Sequence, residues 1–215
     1  MDSGSDRAGT PGTGAAGWAL VGAAAATMLF MAHHPTSADD GARNQIVHGI
    51  LIALTGVSAY GFLHWSRIRG LERPAVAAAL VAYGIGLFGH IGAALISGFV
   101  VTALAHDGGA GPDAHLLASQ VHRALAQLGA VAAGAAYAFW SIDLIRRGRG
   151  AERALGLAGL AAGLVPAGLL IAGMLRMNLA GATIVYGVQL AWMAGLGLLM
   201  LSVSRRSGGV ASSRA

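Results

Sequence analysis

Apolar runs divide the chain at roughly 15–32, 45–65, 74–104, 114–142, 153–176 and 180–203. Most reach the ~20 residues a helix needs to cross ~30 Å of hydrocarbon. The predicted fold is therefore all-α: a polytopic transmembrane bundle of about six helices over residues 15–204. Residues 1–14, MDSGSDRAGTPGTG, carry too little apolar surface to offset ordering entropy and read as a disordered cytoplasmic tail, as does 205–215. The first run is short and ends at His33-His34-Pro35, so a cleaved signal peptide competes with a retained signal-anchor helix. The retained helix is preferred, because one arginine against two aspartates makes a poor basic leader.

Arginine placement orients these spans. The 66–73 loop holds Arg67, Arg69 and Arg73, the 143–153 loop holds Arg146, Arg147, Arg149 and Arg153, and the C-terminus holds Arg205, Arg206 and Arg214. The opposite connections, 33–44, 105–114 and 177–180, are poor in basic residues; Asp39, Asp40, Asp107 and Asp113 fall there. Both termini are thus expected in the cytoplasm of a multi-pass inner-membrane protein, which requires an even number of helices.

Set side by side, the helices show an internal repeat. NQIVHGILIALTGVSAYGFLHWSRIRG resembles SQVHRALAQLGAVAAGAAYAFWSIDLIRRGRG, and GAALISGF in the third helix echoes AGLLIAGM in the fifth. Helices 2–3 and 4–5 are read as a duplicated hairpin running the same way through the membrane, in which His48 and His122 are equivalent. On this reading helices 2–5 form a four-helix core flanked by helices 1 and 6.

Composition agrees with a lipid solvent: 55% of residues are hydrophobic and 11% charged, with a mean hydropathy of +0.64, whereas soluble domains carry about 25% charged residues. The net charge of +5 comes from short clusters between apolar runs, not one basic face, so the bilayer rather than nucleic acid is the expected partner. Absence of cysteine excludes disulfides, thiolate metal sites and a cysteine nucleophile. No Walker loop, dinucleotide fingerprint, serine elbow or HExxH motif is present, so no catalytic chemistry is assigned. The 34 glycines sit mostly in the apolar runs. Gly86, Gly89 and Gly92, and the pair Gly159 and Gly163, offer smooth faces for close helix contact. Trp18, Trp65 and Trp140 fall near helix ends, where indole favours the interface.

The chemistry lies in the histidines. Six of the eight (His33, His34, His48, His106, His115 and His122) fall at or near the non-cytoplasmic interface, whereas His64 lies at the inner boundary and His90 near mid-membrane. Ionisable residues at membrane depth are costly unless they face the bundle interior or water. His48 and His122, on separate helices at matched height, are the minimum set for both axial positions of a b-type haem, with small neighbours making room for the porphyrin. Arg43, Arg123 and Arg176 map to the level where haem propionates would need cations. The alternative ligand is a transition metal ion, copper, zinc or iron, held by His34, His48, His115 and His122 with help from aspartates. Tyr83, His90 and Ser97 recur every seven residues on helix 3 and form a polar stripe; a histidine satisfied by Tyr186 or Gln189 of helix 6 is the plainer use of it. The leading reading is a haem- or metal-binding membrane protein for electron transfer, sensing or cofactor handling. The competing one is a non-catalytic accessory subunit of a membrane complex, or a small-solute transporter. The topology is tested by reporter fusions: alkaline phosphatase should be inactive when fused in the 143–152 loop and active in the 105–114 loop, and the reverse pattern would invert the orientation.

Overall fold

The structure, a computed structural model, describes residues 12–33, 41–106 and 111–212. Its described residues form six long apolar helices: α1 (Thr13–Ala32), α2 (Gly41–Arg69), α3 (Pro74–His106), α4 (Pro112–Arg147), α5 (Ala151–Ile171) and α6 (Leu179–Ser212). Their outer faces are apolar: Val81, Phe88 and Ile171 are about two-thirds or more exposed on a surface that only lipid would solvate. The chain is a multi-pass membrane protein.

Boundaries follow local chemistry. Helix α3 starts with Pro74, which gives up no needed N–H there. Helix α5 ends at Ile171, short of the expected 176, because Gly173 takes φ +70°, and its amide bonds back to the Leu170 carbonyl at 3.2 Å. Seven residues later α6 opens on Asn178, whose side-chain oxygen accepts the Gly181 amide at 2.9 Å. Within α3, residues Ile96–Val100 form a π turn that the sequence did not foretell.

The start of α1 lies beside α6, Gly14 facing Ser204, and the bundle has an arginine end and a histidine end. Packing is most extensive between α3 and α4, α4 and α5, and α1 and α6, intermediate where α2 meets α1 and α3, and lighter where α5 meets α6. The expected four-helix core with flanking helices is corrected here: Leu20 of α1 and Leu196 of α6 are fully buried and share one core with Phe62, Tyr137 and Trp140. Helices α4 and α5 touch backbone to backbone; a Cβ on Gly134 would fall 2.5 Å from the Gly163 carbonyl oxygen. Gly89 meets Gly129 of α4 in the same way. The two hairpins therefore differ in spacing, with α4–α5 in backbone contact and α2–α3 joined through side chains.

The arginine end is plugged. Phe62 stacks on Trp140 with centroids 4.6 Å apart and 6° between planes, and Tyr137 lies 4.7 Å from Trp192. Trp140, expected at the interface, is 1% exposed because its indole N–H donates to Ser66 Oγ at 2.9 Å across the core. Beyond the aromatics, buried Asp143 receives Arg69 at 2.6 Å, Arg73 at 3.4 Å and Arg147 at 3.6 Å. Arg69 also reaches Glu152 and lies over the Trp65 ring.

Gly163→Leu should force α4 and α5 apart, costing about 1–3 kcal/mol or more as an overpacked contact, whereas Gly168→Leu, with open space around it, should leave thermal stability in detergent unchanged. Equal melting temperatures for the two variants would remove the close-contact account.

Candidate functional site

The bundle encloses a cavity of about 440 Å³. It is lined by α1, α2, α3, α4 and α6 and runs from His48, His122 and Asn178 at the histidine end to Ser58, Tyr83 and Tyr137 above the aromatic plug. Along α6 the lining from Asn178 to Met193 spans about 22 Å at 1.5 Å per residue. No Asp, Glu, Lys or Arg among the described residues lines it. Its walls therefore offer a bound group no carboxylate, lysine or arginine to pair with.

The histidine end is organised by the π turn of α3. A π turn interrupts the regular carbonyl ladder, and in a dry bundle the affected carbonyls need other donors. The Asn44 side-chain amide donates to the Ser97 carbonyl at 2.9 Å and to Thr102 Oγ1 at 3.1 Å. Thr102 in turn donates to the Gly98 carbonyl at 2.9 Å. The Asn44 carbonyl accepts Nδ1–H of His48, one turn on, at 2.8 Å. Gly98 lacks a side chain because His48 lies against it; an added Cβ would collide with the imidazole. His122, from α4, donates its Nδ1–H to the Ala93 carbonyl, in the last turn before the π segment, at 3.0 Å. A carbonyl can only accept, so in both rings Nδ1 is the donor.

The structure thus brings His48 and His122 to one cavity, both tied to the same stretch of α3. His48 is 3% exposed. His115 is half-buried two turns from His122 and does not line the cavity, and His34 lies outside the described residues. Among the described residues, no three His, Asp or Glu side chains converge in a way that could hold a metal ion. Arg43, Arg123 and Arg176 are exposed and outside the lining; Arg43 reaches the His33 carbonyl at 3.4 Å. The other histidines have local roles. His33 bonds its own helix at Leu29, His64 meets Thr13 Oγ1, and exposed His106 closes over Gly41.

Farther in, the Tyr83–His90–Ser97 stripe does face the cavity. Ser58 donates to the Thr55 carbonyl and therefore accepts from Tyr83, each at 2.9 Å. His90 sits edge-on to Tyr186 with centroids 5.4 Å apart, yet its buried Nε2 has no hydrogen-bond partner. Gln189 is committed elsewhere, donating to the Ala130 carbonyl at 3.0 Å. Sequence reasoning missed Asn44, Thr102 and Tyr137. A polar Asn one turn ahead of a membrane histidine was the available signal for the first; the other two had none.

Comparison with known proteins returns no matching family model, no matching curated protein and no matching solved structure, so the chemistry has to be read from the residues themselves.

Access to the cavity is measurable, because the chain has no cysteine of its own. Ala94→Cys lines the cavity and should react with a small water-soluble thiosulfonate added from the histidine side. Ala133→Cys, at 1% exposure, should not. Reaction of Ala94→Cys only from the arginine side would contradict an opening at the histidine end.

Proposed function

We propose that the chain is a haem-binding membrane protein whose His48 and His122 supply the two axial ligands of a b-type haem, with the histidine end facing away from the cytoplasm. The observation that carries this reading is the matched anchoring of the two rings. Each holds its Nδ1 proton on a backbone carbonyl, which fixes ring orientation and presents Nε2 as the ligand nitrogen. Both line one cavity whose volume lies in the range of cofactor pockets, far more room than a bare ion needs. Small side chains beside the rings, Ala93, Ala94 and Ala126, leave a flat group space. Uncharged walls would send the propionates out through the mouth, toward Asn178 and the exposed Arg176 two residues before it. Bound iron would supply one-electron chemistry at that face.

A transition-metal site drawing on His34 and His115 has less support, since His115 stands off the cavity. Transport of a small solute is also less favoured: the aromatic plug and the Asp143 ion pairs fill the arginine end, which suits a chamber that retains a ligand.

Protein expressed with haem supply and purified in mild detergent should show a Soret band. His48→Ala and His122→Ala should each lose the bound haem while His64→Ala keeps it. Absence of the band in the parent protein, or equal retention in all three variants, would refute the assignment.

A further inference from the structure

Below the histidine pair the same cavity has a second chemical character. Tyr137 lies 15 residues inward of His122 on α4, about 22 Å along the helix. It is 5% exposed, lines the cavity, and its hydroxyl hydrogen-bonds to no described residue. Tyr186 of α6 also lines the cavity, half-buried, and its hydroxyl likewise bonds to no described residue. A hydroxyl facing an enclosed cavity wants an acceptor, and a fully buried one left without costs about 1–3 kcal/mol. Two phenolic donors on separate helices therefore call for two acceptor atoms on one occupant. The remaining wall joins apolar Leu54, Leu87, Leu190 and Met193 to a few neutral polar groups, Thr55, Ser58, His90 and Gln189, and carries no carboxylate, lysine or arginine.

We propose that this inner chamber binds the head group of a lipophilic p-quinone. Such a ring is uncharged, partitions into the bilayer, and carries two carbonyl oxygens on opposite edges, one for the Tyr137 hydroxyl and one for that of Tyr186. Tyr83 donates to Ser58, so its own oxygen remains an acceptor and does not compete for the quinone carbonyls. A fatty alcohol offers a single oxygen and leaves one phenol unmet; an anionic lipid or solute would bring charge into a wall with nothing to pair it. The inference does not rest on haem, since none of these residues belongs to the histidine pair.

Trp192 lies 4.7 Å from Tyr137 and reports on the chamber. Ubiquinone-1 added to the full-length protein in detergent should quench its tryptophan fluorescence saturably, beyond the quenching of free N-acetyltryptophanamide in the same micelles. Tyr137→Phe and Tyr186→Phe should each weaken binding about 5–10-fold, the equivalent of one hydrogen bond. Tyr60→Phe, on a tyrosine 48% exposed on the lipid side, should bind as the parent does. Decanol should compete poorly. Non-saturable quenching, unchanged affinity in both phenylalanine variants, or equal competition by decanol would each overturn the proposal. His48→Ala separates the two sites: it should lose haem and retain the quinone, so either reading can fail while the other stands.

Discussion

In hydrocarbon a carbonyl displaced from its helical bond has no water to turn to, and the π turn at Ile96–Val100 disturbs the ladder of α3 in the middle of its packed length. Two polar side chains answer it. Asn44 takes the Ser97 carbonyl and Thr102 takes that of Gly98. His122 adds a bond to the Ala93 carbonyl just before the turn, which the Ile96 amide also reaches. Asn44 accepts from His48 through its own backbone, so both imidazoles are oriented by groups beside the π turn.

Where lipid is the solvent, helices gain nothing from mutual burial of leucines, so the tight and loose parts of the bundle are decided by side-chain size. Gly89 against Gly129 and Gly134 against Gly163 bring α3, α4 and α5 into backbone contact. Around the cavity larger polar residues, His48, Tyr83, His90 and Tyr186, stand beside small ones such as Ala94 and Ala126. Glycine placement thus fixes where the helices close, between α3 and α4 and between α4 and α5.

The six spans were legible because length and hydropathy alone determine them, and the glycine faces of α3 and α5 were legible because their spacing is local. The bundle's cross-section was not. Leu20 and Leu196 read as ordinary membrane leucines, and nothing nearby in sequence says that they are the ones turned inward. Trp140 read as an interfacial anchor; its burial depends on Ser66, 74 residues away. The pairing of His48 with His122 came from a repeat, and the structure places both in one cavity. The same repeat gave no hint of the π turn at which α2 and α3 are tied, because such a turn has no sequence signature in a run such as LISGFV. His90 was expected to be satisfied by a neighbour, but Gln189 bonds the α4 backbone instead.

The two ends of the molecule are unequal. Asp143 is buried, and a lone buried carboxylate would be strongly destabilising; Arg69, Arg73 and Arg147 compensate it while joining the ends of α2, α3 and α4, and Arg69 extends the link to α5 through Glu152. Opening the arginine end would strand that charge and separate the Phe62–Trp140 stack as well. At the histidine end α2 and α3 are joined by the hydrogen bonds of Asn44 and by His48 lying against Gly98. The two ends are therefore held by different interactions, charge pairing and aromatic stacking at one and neutral hydrogen bonds with close packing at the other.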